Sequence, residues 1–118
     1  VEHIGYPWSE QLFVLMTNQK NMYCDLAMSF VRPTWLAWNM VVAKEYGVID
    51  RVMFASDYVA HGYDLFSENP TEDLKRWIDY VRIDLNRICE KSGWPTFTVD
   101  EIDGILYKNA ARLYSLEV

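Results

Sequence analysis

The sequence predicts an α/β domain built on a parallel sheet, and three observations predict it. Runs of β-type residues alternate with helical runs along the chain. No β-hairpin signal joins two of the β-type runs. The run over residues 22–27 is apolar on both parities except at Asp25, the pattern of a strand covered on both faces.

The elements follow in order. Residues 1–4 read as the end of a strand, and Gly5-Tyr6-Pro7-Trp8-Ser9 as a turn with Ser9 as N-cap. Leu12, Phe13, Leu15 and Met16 give residues 10–19 one apolar helical face. Asn18-Gln19-Lys20-Asn21 breaks that helix, and residues 22–27 form the first complete strand. Residues 28–32 are a loop, and Pro33 suits the first turn of the next helix. Residues 34–46 are apolar almost all round, so that helix expects burial on more than one side, beyond what a chain this short offers. Gly47 stops it. Residues 51–55 form the next strand, with Ser56 and Asp57 at its C-terminal end.

A polar loop spans 58–69. Asn69 then caps a helix with Pro70 at its first position, and Glu72 and Asp73 lie in the first turn. Leu74, Trp77, Ile78, Val81, Leu85, Ile88 and Cys89 recur every three or four residues, a single apolar stripe that ends at Ser92-Gly93-Trp94-Pro95. Thr98-Val99-Asp100-Glu101 matches a capping box and opens the terminal helical region, which continues through residues 109–114. The resulting order is β-α-β-α-β-α-α.

Composition narrows the function. The 118 residues are 51% hydrophobic and 15% aromatic, enough for one core and too apolar for a disordered tail. The net charge is −6, and no basic cluster exceeds two adjacent residues, so the footprint of a nucleic-acid binder is missing. No run of about eighteen apolar residues predicts a membrane span. Cys24 and Cys89 lie in regular-element sequence and read as reduced thiols, which fits a cytoplasmic location. The chain opens with Val1 and carries a candidate functional histidine by position 3, which reads as a processed, truncated or split polypeptide.

Active sites of parallel-sheet proteins lie at the C-terminal ends of the strands, and polar residues fall there. Asp57 leaves the apolar run Val52-Met53-Phe54-Ala55. Its carboxylate suits a divalent metal or the proton of a metal-bound water, and equally an Asx turn closing the strand. His3 suits metal ligation or acid–base work, and equally a structural hydrogen bond. Asp25 suits a barrel interior or a bond to a neighbouring loop, the structural role being favoured. Trp8 suits the wall of a pocket, Arg32 the grip on a substrate carboxylate, and His61 a substrate contact or an exposed loop position. The tryptophans otherwise read as core. No HxH, HExxH, CxxC, GxSxG or phosphate-loop pattern is present. Two histidines and Asp57 do not complete a four-ligand zinc site.

Four segments carry a resemblance: His3-Ile4-Gly5-Tyr6-Pro7-Trp8, Asn21-Met22-Tyr23-Cys24-Asp25-Leu26, Arg51-Val52-Met53-Phe54-Ala55-Ser56-Asp57-Tyr58 and Ile105-Leu106-Tyr107-Lys108-Asn109-Ala110-Ala111-Arg112-Leu113. In order and spacing the chain resembles the amidohydrolase-related family, in the branch of aminocarboxymuconate semialdehyde decarboxylase and related aromatic acid decarboxylases and hydrolases. The resemblance implies the C-terminal part of a (β/α)8 TIM barrel. Residues 1–4 would end strand six, 22–27 would form strand seven and 51–56 strand eight. It implies that His3 is the strand-six histidine (acid, base or substrate-polarising group, or metal ligand), that Asp57 is the strand-eight aspartate that binds metal or activates its water, and that Asn109 is structural. The cofactor implied is a divalent metal, Zn2+ foremost or Mn2+. Departures from the family pattern are Ala55 for a frequent Gly, Val59 for a frequent Pro, and His61 one place beyond a histidine of relatives. The HxH pair of strand one and the strand-five histidine have no counterpart here.

Three strands cannot close a barrel, so the expectation is a single incomplete domain over 1–118 with both sheet edges open. Another polypeptide or an N-terminal portion would supply strands one to five and most metal ligands. The expected activity of that assembly is hydrolysis of a C–N or C–O bond, or non-oxidative decarboxylation of a small organic acid. The alternative is a non-catalytic subunit that completes a barrel. Open edges argue against a free-standing binding module.

Overall fold

Two short parallel strands organise the chain. β1 (Cys24–Asp25) lies beside β2 (Val52–Met53), with Cys24 opposite Val52 and Asp25 opposite Met53. The Leu26 N–H extends the ladder to the Met53 carbonyl at 3.0 Å. This is a computed structural model, and it describes residues 1–58 and 69–118.

On the side of β1 away from β2, the Val1 amino group donates to the Tyr23 carbonyl at 2.8 Å, and the Asp25 N–H donates to the Val1 carbonyl at 3.1 Å. Those are the two bonds of a parallel bridge. The predicted strand end at 1–4 is therefore real at Val1 only. His3–Gly5 departs into a tight 3₁₀ turn. The other predicted strands also shorten, to the bridge pairs Cys24–Val52 and Asp25–Met53 with the Leu26 bond beyond them.

Helices α1 (Ser9–Asn18) and α2 (Pro33–Glu45) pack against each other, and α1 also packs on the His3–Gly5 turn. Ser9 is not the N-cap: it is the first helical residue, and its buried hydroxyl has no partner among the described residues. Trp8 takes the cap position with no capping side-chain bond. In α2, Leu36, Ala37, Asn39, Met40, Val41, Val42 and Ala43 are all buried by the chain itself. The expectation that this helix needs an outside partner is thereby corrected. Trp38 stays half exposed and packs on Trp94 with ring centroids 5.3 Å apart.

The third helical stretch begins as predicted. The Asn69 side chain accepts the Glu72 N–H at 3.3 Å, and Pro70 opens α3 (Pro70–Asp79). A π turn, Tyr80–Asp84, leads into α4 (Leu85–Ser92), which ends at left-handed Gly93. The capping box at Thr98 and Glu101 is complete and opens α5 (Val99–Asp103). A second π turn, Gly104–Lys108, leads into α6 (Asn109–Tyr114). Among the described residues, no helix is long and apolar enough to cross a membrane.

The second π turn has a consequence for the sheet. It frees the Ile105 carbonyl, which accepts the Phe54 N–H at 2.7 Å. Asn109 Nδ2 donates to the Val52 carbonyl at 2.8 Å and to Ile49 at 3.2 Å. A Cβ at Gly104 would stand 3.2 Å from Asn109 Oδ1, so the absent side chain leaves Asn109 its room. The outward groups of β2 are thus bonded within the chain, and the expectation of two open edges fails on this side. Asn109 has the structural role that the resemblance implied.

The core runs through Phe13, Met16, Cys24, Leu36, Met40, Val52, Leu85 and Ile105. Cys24 and Cys89 are both buried and unpaired. Burial pushes the Cys24 thiol up to about 12 and raises that of Cys89, so both stay protonated near neutral pH.

Lys44 ties α2 to α5. Its Nζ donates to Glu101 Oε2 at 2.8 Å and to the Thr96 carbonyl at 2.7 Å. Burial acts to raise the Glu101 carboxyl, but the Lys44 bond and the Thr98 N–H outweigh it and hold the group below its usual 4.5. A lowered folded-state value stabilises the fold above the ordinary carboxylate range. That contribution is lost as pH falls from about 4.5 through the lowered value. Melting followed by circular dichroism between pH 6 and pH 3 should show the acid-side loss, and Glu101→Gln, which keeps an acceptor, should flatten it. An unchanged pH profile in the variant would reject this linkage.

Candidate active site at the strand ends

The C-terminal ends of the strands bring together the two residues on which the sequence places most weight. His3 Nε2 lies 3.5 Å from Asp57 Oδ2, with side chains 38% and 51% exposed. His3 follows Val1, the residue bridged to β1, and Asp57 follows β2, so two segments on either side of β1 converge on one point.

Asp25 holds this arrangement. Its Oδ1 accepts the His3 backbone N–H at 3.2 Å and the Ala27 N–H at 3.0 Å. The structural role for Asp25 is the one the structure displays: it anchors the turn carrying His3 to the loop after β1. That turn is tight. Its i→i+3 bonds run from Gly5 N–H to the Glu2 carbonyl and from Tyr6 N–H to the His3 carbonyl. Gly5, at φ 73°, is needed there, because a Cβ would stand 2.9 Å from Leu12 Cδ2.

Among the described residues, five non-glycine positions have positive φ: His3, Ile4, Met28, Asp57 and Ser115. The first four lie in the segments at the strand ends. Left-handed backbone is least costly for Asn, Asp and His and worst for a β-branched residue such as Ile4. Each such residue costs about 1–3 kcal/mol, and such strain concentrates at functional sites. Ile4 is fully buried, and that packing offsets its cost.

A small cleft of about 40 Å³ opens beside His3, lined by His3, Tyr6, Met28, Ser29, Arg32 and Trp35 together with Ala27. The Arg32 guanidinium sits 4.7 Å from the Tyr6 ring centroid, and Tyr6 packs edge-on against Trp35 at 5.2 Å. Trp8, expected as a pocket wall, is not among the lining residues and is 67% exposed. His61 lies outside the described residues.

A roomier cavity of about 470 Å³ lies on the other side of the Ser29–Val31 turn, between Phe30, Pro33, Trp77 and Tyr80. It contains neither His3 nor Asp57. The chemistry of the donors, not the volume, locates the candidate site.

An imidazole nitrogen and a carboxylate oxygen suit a borderline divalent ion. Two ligands of one tetrahedral ion, bonded at about 2.0–2.2 Å, stand about 3.3–3.6 Å apart, and the observed separation falls in that interval. The donor count is short. Among the described residues no group of three His, Cys, Asp or Glu side chains could hold an ion. The residues present therefore fit part of a coordination sphere.

A family model described as amidohydrolase covers residues 1–116. No curated protein matches, and no solved structure matches.

Proposed function

We propose that this chain, which belongs to the amidohydrolase family, supplies the strand-six histidine and the strand-eight aspartate to a metal-dependent hydrolase or decarboxylase. Family membership carries hydrolase-type chemistry, for which divalent metals are common partners. The observation that carries the finer reading is the 3.5 Å approach of His3 to Asp57 at the ends of parallel strands. Within the (β/α)8 barrel of the family, that is where catalytic groups stand.

Asp57, with His3 beside it, would hold a zinc or manganese ion. Such an ion supplies a Lewis acid that polarises a carbonyl or carboxylate and lowers the pKa of bound water. The chain's own groups do the rest. Asp57 takes up the proton of the attacking water. His3 passes a proton to or from the substrate at Nε2. Asp25 fixes the backbone of His3 through the bond at 3.2 Å, so the imidazole meets the substrate already oriented. For hydrolysis, the proton from His3 goes to the departing nitrogen or oxygen. For decarboxylation, it goes to the carbon that loses carbon dioxide. Both outcomes use the same pair.

The remaining ligands and strands would come from another polypeptide or an N-terminal portion bearing an HxH motif. Strand pairing is available beyond Val1. On the β2 side, closure would require Ile105 and Asn109 to release Phe54 and Val52. The short donor count favours a second reading for the chain alone, that of a non-catalytic subunit completing a barrel.

Native mass spectrometry with metal analysis tests the proposal. The expected result is a complex containing an HxH-bearing segment with about one zinc or manganese per site, and little metal on the isolated chain. A cooperatively folded monomer, with no metal in any assembled form, would sink it.

A further inference from the structure

We infer that Asp73, in the first turn of α3, is a positioning residue for Asp57: it holds Tyr58, the next residue in the chain, and so sets where the Asp57 carboxylate stands. Placing that role within an active site rests on the reading of His3 and Asp57 above.

Asp57 is weakly held by its own surroundings. Its side chain is 51% exposed, and its backbone sits at φ 48°, beyond the strand that ends at Met53. A carboxylate in that setting needs an anchor close by if it is to return to one point. The residue after it supplies one. The Tyr58 N–H donates to Ser56 Oγ at 3.3 Å, a bond that brackets Asp57 in a short turn. The Tyr58 ring packs on Trp77 with centroids 5.9 Å apart, and its hydroxyl donates to the Asp73 carboxylate.

The burial of Asp73 is the second observation. A carboxylate in the first turn of a helix favours the dipole from the surface, where water solvates it. Asp73 is instead 1% exposed. A buried charge is costly unless it is both paired and hydrogen-bonded. Arg76 supplies the opposite charge, with Nη2 2.8 Å from Asp73 Oδ1, but Arg76 is itself 66% exposed, and an ion pair with it needs no burial. Neither the dipole nor Arg76 accounts for a carboxylate drawn inward. The bond to Tyr58 does, because it ties α3 to the segment that leaves β2. Trp77 fixes the face of the Tyr58 ring, Asp73 fixes its far end, and one peptide unit joins that ring's backbone to Asp57. Asp73 therefore acts on Asp57 through Tyr58 and touches no reacting atom.

The test is nuclear magnetic resonance of the full chain at one pH near neutrality, in parent, Tyr58→Phe, Asp73→Asn and Asp57→Asn forms. His61→Gln assigns the chain's two histidines. Tyr58→Phe keeps the ring on Trp77 and removes only the hydroxyl. Its His3 ring signals should shift toward their positions in Asp57→Asn, and the Asp57 amide order parameter should fall from about 0.85 to below about 0.6. Asp73→Asn keeps an acceptor for the hydroxyl and should shift both less. In the assembled enzyme, Tyr58→Phe should lower kcat by about 10- to 100-fold with KM little changed, since a misplacement of about 1 Å costs about 10²-fold. Parent-like His3 signals and Asp57 order in Tyr58→Phe would overturn the inference. Shifts spread evenly over the chain with a lowered Tm would also overturn it, because they mark a bond that supports the fold alone. Asp57→Asn separates the two readings. Local shifts in Tyr58→Phe alongside full metal and turnover in Asp57→Asn leave the clamp standing and remove the role of Asp57. Unmoved signals in Tyr58→Phe alongside lost metal and turnover in Asp57→Asn remove the clamp and leave that role.

Discussion

Asp57→Asn should lower turnover of the assembled enzyme by about 10²- to 10⁴-fold, the range for loss of a positioned acid–base group, and should lower its metal content. The substitution is unusually clean at this position. Asp57 has φ 48°, a left-handed conformation that Asn adopts about as readily as any L-residue. The side chain is 51% exposed, so no buried charge is removed and no cavity opens. Stability should therefore hardly change, and the loss reports the negative charge alone. The amide no longer serves as an anionic ligand or takes up a proton, and it withdraws the charge that stands 3.5 Å from His3 Nε2. Metal analysis and steady-state kinetics on the same preparation check both parts. Full turnover and full metal in a folded Asp57→Asn protein would show that Asp57 only closes the strand as a turn residue.

How much of this was legible follows from the range of each interaction. Signals within four residues were readable. Asn69 and Pro70 start α3, Thr98 and Glu101 form their box, and Gly47 and Gly93 take left-handed backbone after their helices. Each depends on local stereochemistry and sits in the residue types themselves. The parallel pairing of β1 with β2 also followed from the alternation of elements. Strand length did not, because a ladder extends only as far as its partner, and periodicity cannot report a neighbour 28 residues away. The two π turns left no pattern in the apolar stripe. The second exists together with contacts between distant residues, Ile105 with Phe54 and Asn109 with Val52.

The site divides along the same line. The resemblance linked His3 and Asp57 as family positions, and the fold supplies the distance between them. The left-handed turn that aims His3 was not legible, since Ile4 is a residue that sequence reasoning never assigns to such backbone. The anchoring of that turn by Asp25 was foreseen only as a bond to some neighbouring loop. Trp8 stands at the cap position of α1 and faces solvent, a placement that its position next to a strand end does not announce.

Arg51 shows a larger gap of the same kind, and Arg51→Met should cost about 2–4 kcal/mol of stability. In sequence it reads as the first residue of a strand. In the fold it is buried, and its Nη1 donates to the carbonyls of Met16 at 2.7 Å, Gln19 at 3.0 Å and Met22 at 3.3 Å. These belong to the last turns of α1 and the connection to β1, where helical carbonyls have no intrahelical partner and a cation suits the dipole. Two effects oppose each other. Replacing a buried charge with a hydrophobe of similar size relieves a desolvation penalty and is often neutral. Here the partners are three carbonyls that stay in place: that of Gln19 keeps the Met22 N–H at 3.1 Å, whereas those of Met16 and Met22 lose the Arg51 donor, and each buried acceptor left without a donor costs about 1–3 kcal/mol. Among the described residues, the carboxylate paired with Arg51 is that of Asp50, at 3.6 Å and largely exposed, so little ion-pair energy is at stake. The lost acceptors therefore win. For a domain of this size the loss corresponds to a fall in Tm of about 10–20 °C. Arg51→Lys, which keeps the charge but has no fork, should fall between the two. Thermal melts at neutral pH decide the matter: a variant melting within about 2 °C of the parent would mean that solvent or a local shift satisfies those carbonyls, and that Arg51 does not clamp α1 to the sheet carrying Asp57.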